Sequence, residues 1–222
     1  MKKLFKQLLP FCSLVLIIVI WGMMEPERFL TAKNFANVLR RSSVNGIMAA
    51  GMTYVIISGG IDLSVGSMMA FCGMIGSMVM LMVSGATWEQ ITGGSYVELT
   101  GVSMWIGTFA GMATGAVCGL ANGALITKLK LAPFIVTLGT MSIFRGVTYL
   151  MNDGKPFAVS DYEYLDMGYF MGIPSSIALL ILIFVIAGFM LKYMRFGRYT
   201  YAIGSNAETA FHSGVNVSKV LI

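Results

Sequence analysis

The sequence is poor in charge. Of its 222 residues only 11% are Asp, Glu, Lys or Arg, against about 25% in a typical soluble domain. Another 57% are hydrophobic, so too few polar side chains remain to clothe a water-facing surface. That excludes a soluble enzyme, a nucleic-acid binder and a disordered segment. Cysteine is scarce too. Cys12, Cys72 and Cys118 stand far apart, each inside an apolar run, which is neither a disulfide framework nor a metal-ligand set. The glycine-rich phosphate loop ending in Lys-Ser/Thr is absent. No metal and no cofactor are expected, and the chain belongs in a membrane.

What is present is a series of long apolar runs. A span needs about 20 mostly apolar residues, and six segments qualify: Leu8–Met24, Ser42–Ser58, Leu63–Val83, Val102–Thr127, Leu131–Met151 and Ile173–Leu191. The expected fold class is therefore all-α, a polytopic helix bundle of about six membrane helices followed by a short cytoplasmic helix. Lys2, Lys3 and Lys6 precede the first run, but no small-x-small cleavage site follows it. The run reads as a retained span that serves as its own targeting signal.

The net charge of +5 is not gathered into a nucleic-acid patch. If six spans alternate, Lys2, Lys3, Lys6, Lys128, Lys130, Lys192, Arg195 and Arg198 fall on one side. Glu89, Glu98, Asp153, Asp161, Glu163 and Asp166, with Lys155, fall on the other. The positive-inside rule makes the basic side cytoplasmic, with both termini there. Only Glu25 to Arg41 disagrees, carrying Arg28, Lys33, Arg40 and Arg41 on the outer side, and an interfacial helix rather than a plain loop would account for it.

Within the spans, a few polar and glycine positions invite a function. The fourth has Gly107, Gly111, Gly115, Gly119 and Gly123, one every four residues. Four residues turn a helix by about 400°, so the stripe slants and runs about 24 Å. Such glycines let another helix approach backbone to backbone, the preferred reading over a smooth wall along a pathway. Asp62, in Ser58-Gly59-Gly60-Ile61-Asp62-Leu63-Ser64, either caps the next helix or belongs to a broken-helix site of the kind transporters use. Thr137, Thr140 and Ser142 in the fifth span bond back to their helix or face a wet interior. Arg145, roughly 21 Å along that span, either snorkels to the outer interface or lines a path. On polarity, Asp62, Ser64, Asn122, Thr137, Thr140 and Arg145 are the pathway candidates. After the last span, Asn206 caps a short helix from Ala207 to Ser213 that Gly214 ends, suited to docking another protein.

These runs resemble a known family. Gly59-Gly60-Ile61-Asp62-Leu63-Ser64-Val65-Gly66-Ser67, Pro133-Phe134-Ile135-Val136-Thr137-Leu138-Gly139-Thr140, Phe196-Gly197-Arg198-Tyr199 and Tyr201-Ala202-Ile203-Gly204-Ser205-Asn206 through Gly214-Val215-Asn216-Val217 are similar to the signatures of ribose-type ABC transporter permeases, in family order. The resemblance implies one permease domain over residues 1–222, in the cell inner membrane. It implies a cytoplasmic ABC ATPase, a periplasmic or lipoprotein sugar-binding protein and a second permease subunit, the same or different, besides membrane lipid. The segment 199–217 becomes the coupling segment, with Gly204 and Asn206 ahead of Glu208, Ala210 and Gly214, which fit the Glu-Ala-Ala-x-x-x-Gly pattern with Thr209 in place of an alanine. Members of the family continue beyond this segment, so the chain is expected to be the first part of a permease.

The expected role is import of a monosaccharide such as ribose, xylose, arabinose or galactose, with ATP hydrolysis on a separate subunit. An intramembrane aspartyl protease would need a second membrane carboxylate beside Asp62, and a serine type would need a histidine nearer than His212. An ion-coupled transporter, or a remnant that only occupies the assembly, are the alternatives.

Overall fold

The computed structural model describes residues 2–159, 169–170 and 173–222. Of the acidic outer-loop positions, Asp161, Glu163 and Asp166 lie outside the described residues. In chain order the helices are α1 (Lys2–Met24), α2 (Pro26–Phe29), α3 (Ala32–Ile57), α4 (Val65–Val83), α5 (Trp88–Gly93), α6 (Gly101–Lys128) and α7 (Pro133–Met151). A two-residue hairpin, β1 (Tyr169–Phe170) with β2 (Ile173–Pro174), precedes α8 (Ser175–Tyr193), α9 (Arg195–Ser205), α10 (Ala207–His212) and α11 (Val217–Leu221). The all-α expectation holds apart from that hairpin, which takes in Ile173, the first residue assigned to the sixth span.

Four helices, α4, α6, α7 and α8, are long and apolar enough to cross a membrane. The first two expected spans are helical as well, but neither is among those four. Among the described residues the apolar part of α1 is Phe11–Met24, and α3 is diluted by Lys33, Asn34, Arg40, Arg41, Ser42, Ser43 and Asn45. The basic segment from Glu25 to Arg41 is helical, as its charge suggested. It holds α2 and the start of α3, where Thr31 accepts a hydrogen bond from the Asn34 amide at 3.1 Å.

Two groups of helices form the molecule. In one, α4, α6 and α7 pack on each other; in the other, α3 packs on α8 and α9. The helix α11 touches both α6 and α9. Glycine explains how closely α4 and α6 meet. A Cβ at Gly76 would lie 3.0 Å from the Gly107 carbonyl, and one at Gly107 would lie 2.7 Å from the Gly76 carbonyl. Only two bare backbones fit there. At the far end of this pair Met74, Met80, Leu81, Ile91, Leu99 and Phe157 form a buried apolar core. Ile91 is delivered to it by α5, whose start is fixed by a capping box between Thr87 and Gln90. Thr100 and Ser103 make the same reciprocal arrangement at the start of α6, each cap worth about 1 kcal/mol. By contrast α8 is apolar all round and fully buries no residue, the composition of a helix surrounded by hydrocarbon.

Candidate functional site

At the other end of the α4–α6 pair the chemistry changes from apolar to polar. The turn between α3 and α4 uses Gly59 at φ +82°, in the left-handed region that suits glycine. It brings Asp62 round to the start of α4. There the Asp62 Oδ1 accepts from the Ser64 amide at 2.7 Å and from the Ser64 hydroxyl at 2.6 Å. Asp62 thus makes a local turn onto Ser64, the residue at the N-cap position of α4, rather than bonding the first turn of the helix as the capping reading expected, and it is part of a larger cluster. Asn122 of α6 donates through Nδ2 to the Ser64 Oγ at 3.0 Å. Thr137 of α7 donates to the Pro133 carbonyl at 2.9 Å and reaches the Ile61 carbonyl at 3.4 Å. Ser64, Asn122 and Thr137 are 0%, 5% and 1% exposed. Four candidates scattered over 76 positions of sequence therefore meet at one place.

Asp62, Asn122 and Thr137 border a cavity of about 310 Å³ between the two helix groups, and Ser64 stands behind them. Its walls come from Tyr54 on α3, the turn from Ser58 to Asp62, Gly119 and Asn122 on α6, Thr137 on α7, Phe196 and Thr200 on α9, and the end of α11. The glycine stripe divides here. Gly107 and Gly111 press on α4, a Cβ at Gly115 would lie 3.4 Å from the Cys72 sulfur, one at Gly119 would meet no atom within 4 Å, and Gly123 lies against the end of α11.

Two candidates stand apart. Thr140 donates back to the Thr137 carbonyl at 3.3 Å and does not line the cavity. Arg145 is exposed near the opposite end of α7, where it borders a separate cavity of about 480 Å³ with Tyr149 and Lys155.

The segment after α8 is more structured than its sequence suggested. Helix α9 turns Gly197, Thr200 and Ile203 inward at intervals of three residues, leaving Arg195, Arg198 and Tyr201 outside. Gly204 comes against the Ile57 carbonyl at the end of α3, where any side chain would overlap the backbone. Asn206 then caps α10, its Oδ1 accepting from the Thr209 amide at 2.9 Å. Gly214, at φ +86°, closes the helix with a bond from the Val215 amide to the Ala210 carbonyl at 3.0 Å. Ala210 is buried, while Glu208, Thr209 and Phe211 are exposed, Phe211 by 64%. This matches the helix expected between Asn206 and Gly214. Reading the sequence missed α9 and the part that Tyr54, Phe196 and Thr200 take in the cavity. The three-residue spacing of Gly197, Thr200 and Ile203 was the available signal.

Helices apolar enough to span, a buried polar cluster between them and a capped helix after α8 describe a polytopic membrane protein. The chain belongs to the family of branched-chain amino acid transport system / permease components, whose model matches residues 34–222. It is 40% identical over 218 residues to the ribose import permease protein RbsC of Bacillus subtilis (strain 168), covering 96% of this chain and 62% of that relative. To the D-allose transport system permease protein AlsC of Escherichia coli (strain K12) it is 32% identical, over 93% of this chain and 59% of the relative. To the L-arabinose transport system permease protein AraH of the same strain it is 36% identical, over 87% and 54%. The chain thus spans about three fifths of the length of these relatives or less. No solved structure matches it. Family and composition together make it a multi-pass protein of the inner membrane.

Proposed function

We propose that the chain is a membrane-spanning permease subunit of an ATP-driven, binding-protein-dependent importer of monosaccharides. The observation that carries this reading is its likeness, over 87–96% of its length, to permeases named for ribose, D-allose and L-arabinose. Its partners are a cytoplasmic ABC ATPase, a sugar-binding protein on the outer side and a second permease subunit. Both ends of the segment lie on the cytoplasmic side, and residues 199–217 form the coupling segment.

The packing supplies a mechanical route for the coupling. An ATPase that grips Glu208, Thr209 and Phe211 on α10 moves α9, because Asn206 joins the two without a linker. The close approach of Gly204 to Ile57 passes that motion to the end of α3. Next in sequence come Ser58 to Asp62, the turn that borders the cavity, and Asp62, Ser64 and Asn122 tie that turn to α6. A displacement at α10 therefore reaches the polar cluster through rigid contacts.

Uptake of radiolabelled D-ribose, D-allose and L-arabinose by cells carrying the wild-type gene or its deletion tests the reading. Uptake of at least one sugar that needs the gene and ATP, and survives an uncoupler, is the expected result. Uptake that collapses with the ion gradient while ATP is maintained would overturn it.

A further inference from the structure

We propose that the cavity of about 480 Å³ between α4 and the end of α7 is a seat for the headgroup of an anionic phospholipid, with Arg145 and Lys155 as the cations that hold its phosphate. The proposal needs only that the chain spans a membrane and does not depend on the sugar-importer reading.

The two cations reach the cavity from different parts of the chain. Arg145 lies six residues before Met151, the last residue of α7, and so about 9 Å inside the end of that helix. Lys155 comes from the turn that follows. There Asp153 and Gly154 take φ values of +48° and +75°. The Gly154 amide donates to the Tyr149 carbonyl at 2.9 Å, and the Lys155 amide donates to the Asn152 carbonyl at 2.8 Å. Two residues on, Phe157 is buried in the apolar core, so the backbone of Lys155 is held on both sides. Both cations are exposed and line the cavity, and no Asp or Glu lines it. Neither makes an ion pair among the described residues. A cation this far inside a span is costly unless it finds a partner. A phosphate supplies one, and a guanidinium matches two phosphate oxygens at once.

The opposite wall favours a lipid over a free anion. Ala70, Gly73, Met74 and Ser77 line the cavity from one face of α4, spaced at three and four residues. A Cβ at Gly73 would meet nothing within 4 Å, so its missing side chain widens the groove. Thr137 near the start of α7 reaches the Ile61 carbonyl just ahead of α4, so the two helices run the same way. The Phe71 and Phe144 rings stack at 5.6 Å, which sets Ala70 toward the middle of the span and Ser77 toward its end. The lining therefore passes from Lys155 and Ser77, past Arg145, to Gly73 and Ala70 in the apolar layer. A phospholipid has the same order, phosphate above and acyl chain below. Inorganic phosphate would turn hydrated oxygens toward the apolar half. Gly73, Arg145, Tyr149 and Lys155 are all exposed, so the cavity opens at the surface between two helices apolar enough to span.

Lipid retention on the purified, immobilised chain tests the seat. The chain is washed in detergent with equimolar phosphatidylglycerol and phosphatidylcholine, whose choline cancels the phosphate charge, and the eluted lipid is quantified. Arg145→Gln/Lys155→Gln removes the cations. Gly73→Leu fills the groove and keeps every charge, and Lys128→Gln/Lys130→Gln removes the same charge at the other end of the helices. Unfolding midpoints establish which variants fold; the charge variants, at exposed positions, decide if Gly73→Leu does not. The expected result is a preference for phosphatidylglycerol of about fivefold per cation. It falls to near parity in Arg145→Gln/Lys155→Gln and in Gly73→Leu, persists in Lys128→Gln/Lys130→Gln, and survives an excess of inorganic phosphate. Equal retention of the two lipids by wild type would overturn the seat, and is the result if an acidic protein segment covers these cations instead. A preference that persists in either cavity variant, or an equal loss in Lys128→Gln/Lys130→Gln, would also overturn it. Displacement of the lipid by inorganic phosphate would overturn it in favour of a small anion. Sugar uptake is not read in any arm, so the importer reading stands or falls separately.

Discussion

Along α6 the same residue at the same spacing has opposite surroundings. Gly107 and Gly111 are jammed against the backbone of α4, whereas Gly119, two further steps on, faces open space beside the cavity. The helix pair is consequently joined backbone to backbone at one end, next to the apolar core of Met80, Leu81 and Ile91, and through the Asn122–Ser64 side-chain bond at the other. A motif that reads as uniform thus makes a graded junction, because what a glycine does depends on whether another backbone occupies the space its missing side chain leaves.

The largest expected effect attacks the end joined backbone to backbone. A Cβ at Gly107 meets the Gly76 carbonyl and the Met80 Cβ at 2.7 Å, so Gly107→Leu must drive α4 and α6 apart. A loss of about 3 kcal/mol is expected, seen as a lower unfolding midpoint in detergent; an unchanged midpoint would deny the contact. Gly204→Ala comes next. Its Cβ overlaps the Ile57 carbonyl, and an expected loss of about 2 kcal/mol should accompany slower ATP-dependent uptake, since the end of α9 must move. Wild-type uptake would remove Gly204 from the coupling route. Asn206→Ala deletes the α10 cap for about 1 kcal/mol, with faster hydrogen exchange at the Thr209 amide as the local readout and no change at α6. Smallest is Gly119→Ala, which meets nothing and gains helix propensity of at most about 1 kcal/mol. A destabilisation like that of Gly107→Leu would erase the distinction between the two ends.

Much of this was legible from residue order. Apolar run length located α4, α6, α7 and α8 within about two residues at each end. Asn206 and Gly214 bracketed α10 because capping is local chemistry, written in adjacent residues. Asp62, Ser64, Asn122 and Thr137 were singled out by polarity alone, but their meeting was not readable, since it depends on how α6 and α7 pack against a turn 58 and 76 residues earlier. The same dependence hid the split in the glycine stripe. Arg145 and Thr140 had equal claims on polarity and went elsewhere, one to the opposite end of α7 and one to a bond within its own helix. Helix α9 was missed because its inward residues include Gly197 and Thr200, which carry little hydrophobic signal.

The length of α6 has its own consequence. At 28 residues it extends about 42 Å, whereas α4, α7 and α8, each of 19 residues, extend about 28 Å. Only the shorter helices match a hydrocarbon layer of about 30 Å while standing upright. The long one must lean or push its ends among the lipid headgroups, and Thr100 at one end and Lys128 at the other are suited to that zone. Membrane thickness thereby acts on this molecule as a mechanical variable. A thinner bilayer favours a greater tilt of α6, and with Gly107 fixed on α4 as the pivot, the end that swings furthest is the one that carries Asn122.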